Sequence, residues 1–509
     1  MTPTENHRPL KICMVSSEVV PYAKTGGLAD VVGALAVEFS KLGHDVIVTL
    51  PCYRQVRSVG HKMAGYVRLS IPTSRGFTEV GIEEIAVPVS SANGSGRLRV
   101  FAVRHDPSFD RAGLYQEAGE DYPDNCARFV LFCRTVMEFL VHLSDVEGWQ
   151  ADLLHAHDWQ SALCAVYLRS IYQPQASLRK VRSVLTIHNL GFQGLFPAEQ
   201  FALTGLSSQY FTPAWLEFYG AVNLLKGGIV FADQLTTVSP TYSREIQTAE
   251  YGCGLDGVIR SRQHVLHGIV NGIDAQTWNP ANDPYLPVPY SLSDMTGKAE
   301  CKAALQHELG FRQQKIPLLG IIARLTSQKG IDLVLEVMPE LLELRVQIAI
   351  LGTGDPRYEE EARRFANHYP GKVALRTELD EELAHRIEAG ADLFIMPSRY
   401  EPCGLSQLYS LRYGTVPVVR MTGGLADTVV NYTPRTFKDG RASGFGFTDT
   451  NATSLLTCLL LALSIYQKKT EWNRIVKTGM EQDLSWSRSA ETYVRLFDWL
   501  VRTDSNALR

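Results

Sequence analysis

Short apolar runs recur along the chain, and most of them end in a polar or glycine-rich turn. In the first half, five runs predict buried strands: Lys11–Val15, Asp45–Leu50, Leu153–Ala156, Val181–Ile187 and Leu235–Val238. Between the first two runs, apolar residues recur in alternating steps of four and three, at Leu28, Val32, Leu35, Phe39 and Leu42. This spacing predicts one amphipathic helix that ends at Gly43. A strand, a helix and a strand in this order predict a βαβ unit with parallel strands.

The second half of the chain repeats this order. Four further runs predict strands: Leu318–Ala323, Val346–Leu351, Ala391–Met396 and Val416–Met421. A helical stretch starts at Ile331 and is predicted to kink or restart at Pro339. Between the halves, Trp278–Ser293 contains four prolines and predicts an irregular crossing segment. The chain is therefore predicted to form two doubly wound α/β domains, whose ligands bind beyond the carboxyl ends of the strands.

The composition is that of a soluble globular protein. Its 509 residues exceed what a single hydrophobic core organises, and hydrophobic residues form 45% of the chain against 20% charged residues. The 50 basic and 54 acidic residues give a net charge of −4. This balance predicts no nucleic-acid partner and no attraction to an anionic membrane. The sequence leaves the oligomeric state open.

Cysteine usage and the start of the chain bear on the compartment. The nine cysteines are scattered and include no Cys-x-x-Cys pair. They predict neither a disulfide framework nor a structural zinc site, and they fit a reducing compartment. The polar segment Met1–Leu10 and the short apolar run after it contain no signal peptide or membrane-spanning stretch. We therefore expect a cytoplasmic protein.

One six-residue segment, Thr-Gly-Gly-Leu-Ala-Asp, occurs twice, at Thr25–Asp30 and at Thr422–Asp427. Each copy follows an apolar run and opens a predicted helix. Free backbone N–H groups and the positive end of a helix can bind a phosphate or a sugar hydroxyl at such a turn. A single copy would often be only a tight connection. Two copies predict two similar domains that face one anionic ligand.

Two other loops at strand ends carry candidate chemistry. Arg324 and Lys329 are five residues apart and are both able to reach one diphosphate. In Glu401–Leu405, Pro402 suits a first helical position, which predicts free N–H groups on the next three residues beside Glu401: Cys403, Gly404 and Leu405. Taken separately, each loop also fits a structural role, as a solvated basic loop or a capped turn with an exposed carboxylate.

Several features resemble cofactor or metal sites but do not complete one. His155 and His157 lack a third metal ligand, so hydrogen-bonding roles are favoured. The Gly352–Gly354 turn has Arg357 where a dinucleotide fingerprint needs its third glycine, and we expect Gly354 instead to let the backbone approach a nucleotide. No Asp-x-Asp pair is present to chelate a metal diphosphate. We therefore predict neither a metal nor a cofactor.

Taken together, six motifs resemble those of bacterial glycogen synthases and plant starch synthases, in the order of that family. They are Lys24–Leu28, His155–Trp159, His188–Gly191, Asn271–Asp274, Arg324–Gly330 and Ser398–Leu405. The resemblance runs from about Lys11 to the final helix. It implies a retaining glucosyltransferase with the GT-B fold, in which two Rossmann-like domains face an interdomain cleft.

The resemblance also implies roles at the leaving group. The residue at Lys24 contacts the sugar nucleotide, and Gly26 and Gly27 beside it approach the phosphates. Arg324 and Lys329 neutralise the diphosphate. The second glycine turn, at Thr422 and Gly423, lines the phosphate from the other side.

Around the transferred glucose, the resemblance implies a second group of residues. Glu401 holds a glucose hydroxyl, and the backbone amides of Cys403, Gly404 and Leu405 help to bind sugar and phosphate. Three more positions lie close to the glucose: Asp158, His188 and Asn271. A nucleophilic role for Cys403 is disfavoured, because glycosyl transfer does not need a thiolate.

The implied reaction moves glucose from ADP-glucose to the non-reducing end of an α-1,4-glucan such as glycogen. Some relatives stack an aromatic residue on the base at the position of Leu379, so preference for ADP-glucose or UDP-glucose stays open. Related transferases place a ribose-binding carboxylate at the position of Tyr409, and its absence favours the synthase branch. The implied domains are residues 1–262 on the acceptor side and 263–484 on the nucleotide-sugar side. A final helix, 485–509, crosses back to the first domain or remains a plain helix of the second.

Three rival functions remain for comparison. The nearest is a sister transferase that uses UDP-glucose or another acceptor. An NAD-dependent oxidoreductase would need the missing third glycine and an acidic residue at the end of the second strand, where Leu50 and Pro51 stand. A catalytically silent glucan-binding protein is disfavoured by the intact Glu401, Arg324 and Lys329.

Overall fold

The computed structural model describes residues 8–58, 60, 62–74, 76–87, 96–378 and 380–507, with side chains described as far as residue 502. The chain divides into two compact units. We call unit 1 the described residues within 1–238, 243–269 and 489–509, and unit 2 those within 239–242 and 270–488. Among the described residues, no helix combines the length and apolarity needed to cross a bilayer.

Unit 1 is built on a nine-stranded sheet with the order β14-β13-β9-β8-β1-β2-β5-β4-β3. Neighbouring strands are parallel from β14 to β5, and β4 and β3 form an antiparallel hairpin at one edge. The small strands β10 to β12 form a second sheet, and β6 pairs with β7. The strands are β1 Lys11–Val15, β2 Asp45–Pro51, β3 Met63–Thr73, β4 Gly76–Ile85, β5 Arg97–Arg104, β6 Gln116–Glu117, β7 Glu120–Asp121, β8 Leu153–His157, β9 Arg182–Ile187, β10 Leu195–Pro197, β11 Glu217–Phe218, β12 Ala221–Asn223, β13 Gln234–Thr237 and β14 Leu266–Gly268.

The helices up to the crossing segment are α1 Gly27–Lys41, α2 Arg54–Ser58, α3 Asp106–Phe109, α4 Asn125–Glu147, α5 Asp158–Arg169, α6 Leu224–Phe231, α7 Pro240–Glu245 and α8 Asp256–Ser261. Short 3-10 turns occupy Ala198–Thr204, Ser208–Tyr210 and Gln263–Val265. The predicted apolar face of α1 is buried from Leu28 to Phe39, whereas Leu42 is 44% exposed, and Gly43 follows in a left-handed conformation, with φ of 94°. A residue with a side chain would be strained there, which explains why the helix stops at this point.

Unit 2 contains a six-stranded, fully parallel sheet in the order β17-β16-β15-β18-β19-β20. Its strands are β15 Leu318–Ile322, β16 Gln347–Leu351, β17 Val373–Arg376, β18 Leu393–Met396, β19 Val416–Arg420 and β20 Phe445–Phe447. Apolar clusters cover both faces of the sheet, one with α10 and α16 and the other with α9 and α12. The helices are α9 Thr296–Glu308, α10 Ile331–Leu342, α11 Pro356–His368, α12 Glu381–Gly390, α13 Ser406–Arg412, α14 Gly423–Thr428, α15 Pro434–Lys438, α16 Ala452–Tyr466 and α17 Lys469–Met480, with a 3-10 turn at Ser327–Lys329.

The last helix, α18 Trp486–Ala507, belongs to unit 1 from Ser489 onward. Its Phe497 ring lies 5.4 Å from Phe39 of α1, and its Tyr493 ring lies 5.5 Å from His155 of β8. Both aromatic side chains are fully buried. The apolar stripe of the final helix therefore completes the core of unit 1.

The doubly wound α/β architecture predicted for each half is confirmed. All nine predicted strands are present, and their ends differ from the prediction by at most two residues. One detail of the helices differs: α10 continues through Pro339 as a single helix and does not restart there.

Candidate active site

Two loops of unit 2 lie side by side because their strands are neighbours in the sheet. Strand β15 leads into Arg324–Gly330, β18 leads into 397–405, and the two strands pair in parallel. Loops that follow neighbouring parallel strands meet at the same sheet edge. The topology thus brings together two motifs that are about 70 residues apart in the chain.

The centre of this edge is an ion pair between Lys329 and Glu401. The Lys329 ammonium lies 2.5 Å from Glu401 Oε2, and Ser398 donates its hydroxyl to the same oxygen over 3.0 Å. Glu401 is only 6% exposed. The predicted alternative of an exposed carboxylate at a capped turn is therefore wrong, because a buried carboxylate needs these partners to compensate its desolvation.

Arg324 differs from Lys329 in having no acidic partner among the described residues. Its side chain is exposed, and no carboxylate within the described part of the chain lies in ion-pair distance of its guanidinium. The loop thus presents one uncompensated positive charge close in sequence to a compensated one. An anionic ligand can bind the first without breaking an existing ion pair.

A bidentate ion pair fixes the two loops against each other. The Arg399 guanidinium donates to both carboxylate oxygens of Asp332, over 2.7 and 2.6 Å, and to the Ser327 carbonyl over 2.7 Å. The backbone N–H of Arg399 also donates to the carbonyl of Gln328, over 2.8 Å. Sequence analysis missed the role of Asp332, which stands inside the helix after the first loop and has no local signal.

Arg420 supports the same loop from the next strand. It is buried at the end of β19, and its Nε donates to the carbonyl of Ser398 over 2.8 Å, while its Nη2 donates to the carbonyl of Arg399. A buried arginine that satisfies loop carbonyls holds backbone in one conformation. This residue was also missed, because in the sequence it is only the polar end of an apolar run.

The segment after Glu401 differs from its prediction. Helix α13 begins at Ser406, so Pro402 does not occupy a first helical position. The loop instead turns through Gly404 at φ of 72°, and Gln407 donates to the carbonyls of Cys403 and Gly404, over 3.0 Å each. Competing side-chain hydrogen bonds of this kind delay the start of a helix.

The amide groups proposed for the sugar and phosphate nevertheless remain available. Within the described residues, no acceptor is bonded to the N–H groups of Cys403, Gly404 and Leu405. Burial raises the pKa of the Cys403 thiol to about 12, so the sulfur is protonated at neutral pH. This agrees with the assignment of Cys403 as a backbone donor and not as a nucleophile.

The second glycine turn supports this loop directly. The N–H of Gly424 donates to the carbonyls of Glu401 and Pro402, over 3.1 Å each. A β-carbon on Gly423 would collide with the Glu401 carbonyl, and one on Gly424 would collide with Cys403. The absence of side chains at this turn, which Thr422 begins, therefore allows it to pack against the Glu401 loop.

Asn271 and Gly354 lie next to these loops in unit 2. The backbone N–H of Asn271 donates to the Cys403 sulfur, and its side-chain Oδ1 is buried without a partner. The N–H of Gly354 donates to Glu359 over 2.7 Å, and a β-carbon on Gly354 would collide with Leu325. Gly354 thus supports the Arg324 loop by close backbone packing, while Asn271 offers a free acceptor beside Cys403.

In unit 1, Asp158 and His188 meet at the ends of two adjacent strands. Strand β8 ends at His157, β9 ends at Ile187, and the two strands are parallel. The N–H of His188 donates to Asp158 over 2.7 Å, and His188 Nε2 lies 3.0 Å from His157 Nδ1. Asp158 has φ of 57°, a left-handed conformation that is uncommon outside glycine.

Burial controls protonation in this cluster. It raises the pKa of Asp158 to about 7, against the opposing effect of the backbone hydrogen bond from His188. It lowers the pKa of His155 and His188 to about 3 and holds the pKa of His157 well below its usual value. The three imidazoles are therefore neutral at physiological pH, and Asp158 is close to half-ionised.

The paired histidines of β8 make hydrogen bonds within the protein. His155 Nε2 lies 2.7 Å from the Thr186 hydroxyl, which in turn lies 2.6 Å from the hydroxyl of Thr236. Among the described residues, no group of three or more His, Cys, Asp or Glu side chains is arranged to hold a metal ion. The hydrogen-bonding roles predicted for these histidines thus have specific partners: His155 bonds to the Thr186 hydroxyl, and His157 bonds to His188.

The first glycine turn has a buried acid at its centre, which sequence analysis missed. Glu18 accepts hydrogen bonds from the N–H and the hydroxyl of Thr25, over 2.5 and 2.7 Å, and from the N–H of Gly26 over 3.2 Å. Tyr115 donates its hydroxyl to the same carboxylate over 2.7 Å. Two amides expected to point outward are therefore occupied by Glu18, because a carboxylate at the start of α1 satisfies them.

Lys24 and the two glycines of this turn are exposed. Gly26 precedes α1 as its N-cap, and Gly27 is the first helical residue. The Lys24 ammonium lies 2.8 Å from Asp30 in an exposed ion pair. Such a pair contributes little to stability, so Lys24 can exchange Asp30 for another anion at small cost.

Tyr409, at the position where related transferases carry a ribose-binding carboxylate, has a structural contact in this protein. The Tyr409 ring stacks on Trp278 at a centroid distance of 3.7 Å, and the other face of Trp278 stacks on His385 at 3.7 Å. Tyr409 thus closes an aromatic stack with the crossing segment. Leu379, the position compared with a base-stacking aromatic residue, lies outside the described residues.

The predicted site residues fall into two groups. Unit 1 contains Lys24, Gly26, Gly27, Asp158 and His188. Unit 2 contains Asn271, Arg324, Lys329, Gly354, Glu401, Cys403, Gly404, Leu405, Thr422 and Gly423. Within unit 2, the loops that carry Arg324, Lys329 and Glu401 are joined by direct contacts.

Comparison with known proteins identifies this arrangement. Residues 11–261 match the family model for the starch synthase catalytic domain, and residues 306–477 match that for glycosyl transferases group 1. Glycogen synthase from Anaeromyxobacter dehalogenans is 45% identical over 97% of this chain and 100% of its own length. Glycogen synthase from Thermotoga maritima is 44% identical over 96% of this chain and 98% of its own length.

A solved structure agrees with the sequence matches. The catalytic domain of starch synthase IV from Arabidopsis thaliana, bound to ADP and acarbose, aligns with a TM-score of 0.86. It is 32% identical and covers 97% of this chain and 100% of its own. The resemblance stated from the six motifs is thereby confirmed. The chain belongs to the glycogen synthase and starch synthase family of hexosyltransferases, which have the GT-B fold.

Proposed function

We propose that this protein is a glycogen synthase that transfers glucose, with retention, from ADP-glucose to the non-reducing end of an α-1,4-glucan. The observation that carries the proposal is the ion pair between the partly buried Lys329 and the buried Glu401, beside the uncompensated charge of Arg324. Glycogen synthases that are 42 to 45% identical over nearly the whole chain support the same activity.

The reaction needs positive charge where the diphosphate leaves. Breaking the bond between the anomeric carbon and the phosphate oxygen builds negative charge on the departing diphosphate and positive charge on the sugar. Arg324 and Lys329 would stabilise the diphosphate. The Lys329 ammonium has three donors, so it can bind a phosphate oxygen while it keeps Glu401 in place. Glu401 would then accept a hydroxyl of the glucose.

The free N–H groups of Cys403, Gly404 and Leu405 would complete the donor site. They would bind the sugar and the adjoining phosphate without adding a mobile side chain. Asn271 supports the same assignment through its unpartnered Oδ1, which can accept a sugar hydroxyl. In this proposal Thr422, Gly423 and Gly354 act mainly by holding the loops, and less through the direct contacts with the ligand that the sequence predicts for them.

Unit 1 would contribute Asp158, His188 and Lys24 to the same reaction. A neutral His188 can donate or accept a hydrogen bond without opposing the positive charge that develops on the sugar, whereas an imidazolium would oppose it. Asp158 would stabilise that positive charge when ionised. Lys24, with Gly26 and Gly27, would add a cation and a backbone donor for the sugar nucleotide.

Two routes give retention. A double displacement needs a carboxylate nucleophile and a covalent intermediate. We favour same-face attack, in which the acceptor oxygen bonds to the anomeric carbon as the phosphate oxygen departs, and the acceptor's proton passes to that phosphate. This route relies on the cations at the leaving group, which unit 2 supplies.

We assign the acceptor side to the N-terminal half, predicted as residues 1–262 with the helix 485–509, and the nucleotide-sugar side to the half predicted as 263–484; in the structure the two units divide after residue 269 and after residue 488. We expect the reaction in the cytoplasm, since all nine cysteines are free thiols. ADP-glucose is preferred over UDP-glucose in the proposal, because the starch synthase structure that aligns with this chain is bound to ADP.

The proposal is tested by giving the protein labelled ADP-glucose or UDP-glucose with glycogen, in the presence of a chelator, and by counting label in the polymer. We expect incorporation from ADP-glucose and much less from UDP-glucose. Incorporation from neither donor would refute the synthase function, and a preference for UDP-glucose would favour the sister transferase.

The same assay tests the site. Lys329→Ala and Glu401→Ala should each lower kcat by about 10²–10³, because each removes a preorganised group from the charge-bearing transition state. Lys438→Ala removes an exposed lysine of the same unit and serves as the control. Undiminished incorporation by the first two variants would refute the site assignment while leaving the function intact.

A further inference from the structure

Unit 2 contains a cavity formed by residues outside both loops of the proposed donor site. Its volume is about 790 Å³, within the range of small-molecule sites. Helices α9 and α17 and the segment between α9 and β15 line it. No residue of the Arg324–Gly330 or 397–405 loops is among its lining residues.

The cavity is strongly basic. Five lysines line it, and among the described residues that line it Asp392 is the one carboxylate. That carboxylate is already neutralised, because its Oδ2 lies 2.5 Å from the Lys302 ammonium and accepts the N–H of Leu318 over 2.8 Å. Lys477 is paired with Glu481 over 3.6 Å, so the positive potential of the remaining three lysines is left for a ligand.

Two of the lysines are held in place by hydrogen bonds within the protein and contribute positive charge near the cavity. Lys298 is buried and donates to the carbonyls of Ala389 and Tyr413 and to the hydroxyl of Thr415, over 2.8 to 3.0 Å. Burial lowers its pKa to about 8, which leaves it mostly charged at neutral pH. Lys302 is similarly engaged by the Ile316 carbonyl and Asp392.

Two other lysines are free to bind. Lys469 and Lys315 are exposed, and no carboxylate in the described part of the chain lies within ion-pair distance of either. The Lys469 ammonium lies 3.5 Å from the centre of the Tyr466 ring, which fixes it over the wall of the cavity. Tyr466 and Trp472 are themselves only 6% exposed, so they form a wall and offer no open platform for a glucan chain.

We propose that this cavity binds a small phosphorylated metabolite whose phosphate is held by Lys469 and Lys315. The apolar wall of Tyr466, Trp472 and Val476 would face the body of the ligand. An anion is favoured over a neutral sugar because three ammonium groups here, on Lys298, Lys315 and Lys469, have no carboxylate partner among the described residues. This inference is independent of the proposed transferase activity.

The site also has a structural connection to the donor loops. Asp392 immediately precedes β18, and its bond to the N–H of Leu318 ties it to the start of β15. These two strands end at the loops that carry Glu401 and Lys329. The cavity therefore lies at the amino ends of the same strands whose carboxyl ends hold the proposed donor site.

The test measures binding of glucose 6-phosphate, inorganic pyrophosphate and glucose to the full chain by calorimetry, without ADP, which is itself a phosphorylated metabolite, and the lysine variants below distinguish binding in this cavity from binding at the proposed donor site. We expect both phosphates to bind and glucose to bind at least about tenfold more weakly, because it lacks the charged group. Lys315→Ala and Lys469→Ala should each weaken phosphate binding about fivefold or more.

Lys468→Ala is the matched control, since it removes an exposed lysine next to Lys469 that does not line the cavity. It should bind both phosphates as the parent chain does. The proposal is overturned if neither phosphate binds at millimolar concentration, if glucose binds as well as glucose 6-phosphate, or if the Lys315→Ala, Lys469→Ala double variant binds as the parent does. These binding outcomes do not depend on whether the protein has synthase activity, which is measured separately.

Discussion

At the scale of single residues, Arg324 and Lys329 show how neighbouring cations differ in what they do. Lys329 is held by Glu401 at 2.5 Å, whereas Arg324 is exposed without an acidic partner among the described residues. Removal of Lys329 leaves a buried carboxylate unpaired and affects both stability and chemistry. Removal of Arg324 breaks no ion pair within the described part of the chain.

We therefore predict that Arg324→Ala separates activity from stability. Transfer from ADP-glucose should fall by about 10² or more in kcat/KM, because a fixed cation at the leaving group is lost. The midpoint of urea unfolding should stay unchanged, since surface substitutions without partners rarely alter stability. Steady-state kinetics and urea titration measure the two effects.

The control for this prediction is Arg345→Ala, another exposed arginine of unit 2, located before β16. It should change neither quantity. Equal activity of the Arg324 and Arg345 variants would contradict the role of Arg324 at the diphosphate.

At the scale of elements, the glycines between strands and helices position the site. Gly330 has φ of 68°, and a β-carbon on it would collide with the Pro397 carbonyl at the start of the second loop. Gly371 has φ of 85°, and no atom lies within 4 Å of where its β-carbon would be. Both positions favour glycine for their backbone conformation, but one of them also joins two functional loops.

Substitution of each glycine by alanine should distinguish strain from contact. Gly371→Ala should cost about 1 kcal/mol of unfolding free energy, from backbone strain alone, with activity retained. Gly330→Ala should cost more and should also lower kcat, because the Lys329 loop must move away from the Glu401 loop. Urea unfolding and kcat are the measurements, and equal effects of the two variants on kcat would contradict the loop contact.

At the scale of the whole molecule, protonation of the unit 1 cluster links stability to pH. The pKa values of His155, His157 and His188 are depressed by burial, so their contribution is present above pH 6.5 and is lost as the pH falls towards 3. Asp158 acts in the opposite sense, because its raised pKa, about 7, favours the folded state as the pH falls. Within this cluster three groups outweigh one, so acid destabilises the folded state through it.

We predict that the free energy of unfolding, measured by urea titration, falls steadily from pH 6.5 to pH 4, with a slope on the order of 2 kcal/mol per pH unit. His155→Gln should reduce this slope, since one of the three histidines no longer has to become charged on unfolding. His368→Gln, at an exposed position on α11, should leave the slope unchanged. A urea midpoint that stays constant over this interval would contradict the buried neutral histidines.

Much of the architecture followed from the sequence alone, for a physical reason. Strands such as Lys11–Val15 and Leu318–Ile322 are apolar because both faces of a parallel sheet are covered, and that property is visible in any short segment. The helical spacing of apolar residues from Leu28 to Phe39 is likewise visible within a short segment of the sequence. Because ligand sites in such folds lie at strand ends, the loops with Arg324, Glu401 and Asp158 were also identifiable.

Other features depend on contacts between residues far apart in the chain. Asp332 meets Arg399, and Arg420 meets Ser398, only after the strands are placed in order. Glu18 occupies the amides of Thr25 and Gly26, which the repeated glycine segment by itself presented as open. Helix α13 begins at Ser406 and not at the predicted Pro402, because Gln407 donates hydrogen bonds to the loop carbonyls.

The sequence by itself determined the two doubly wound halves, the strand ends that carry the site, and the family to which the motifs point. Burial and local periodicity encode these properties, and they need no knowledge of neighbouring strands. Tertiary structure alone decided which charges are compensated: Lys329 is paired, Arg324 is not, and the lysines around Tyr466 face a cavity with a neutralised acid. The reason is that charge compensation depends on distance and burial, which a linear pattern of residues does not contain.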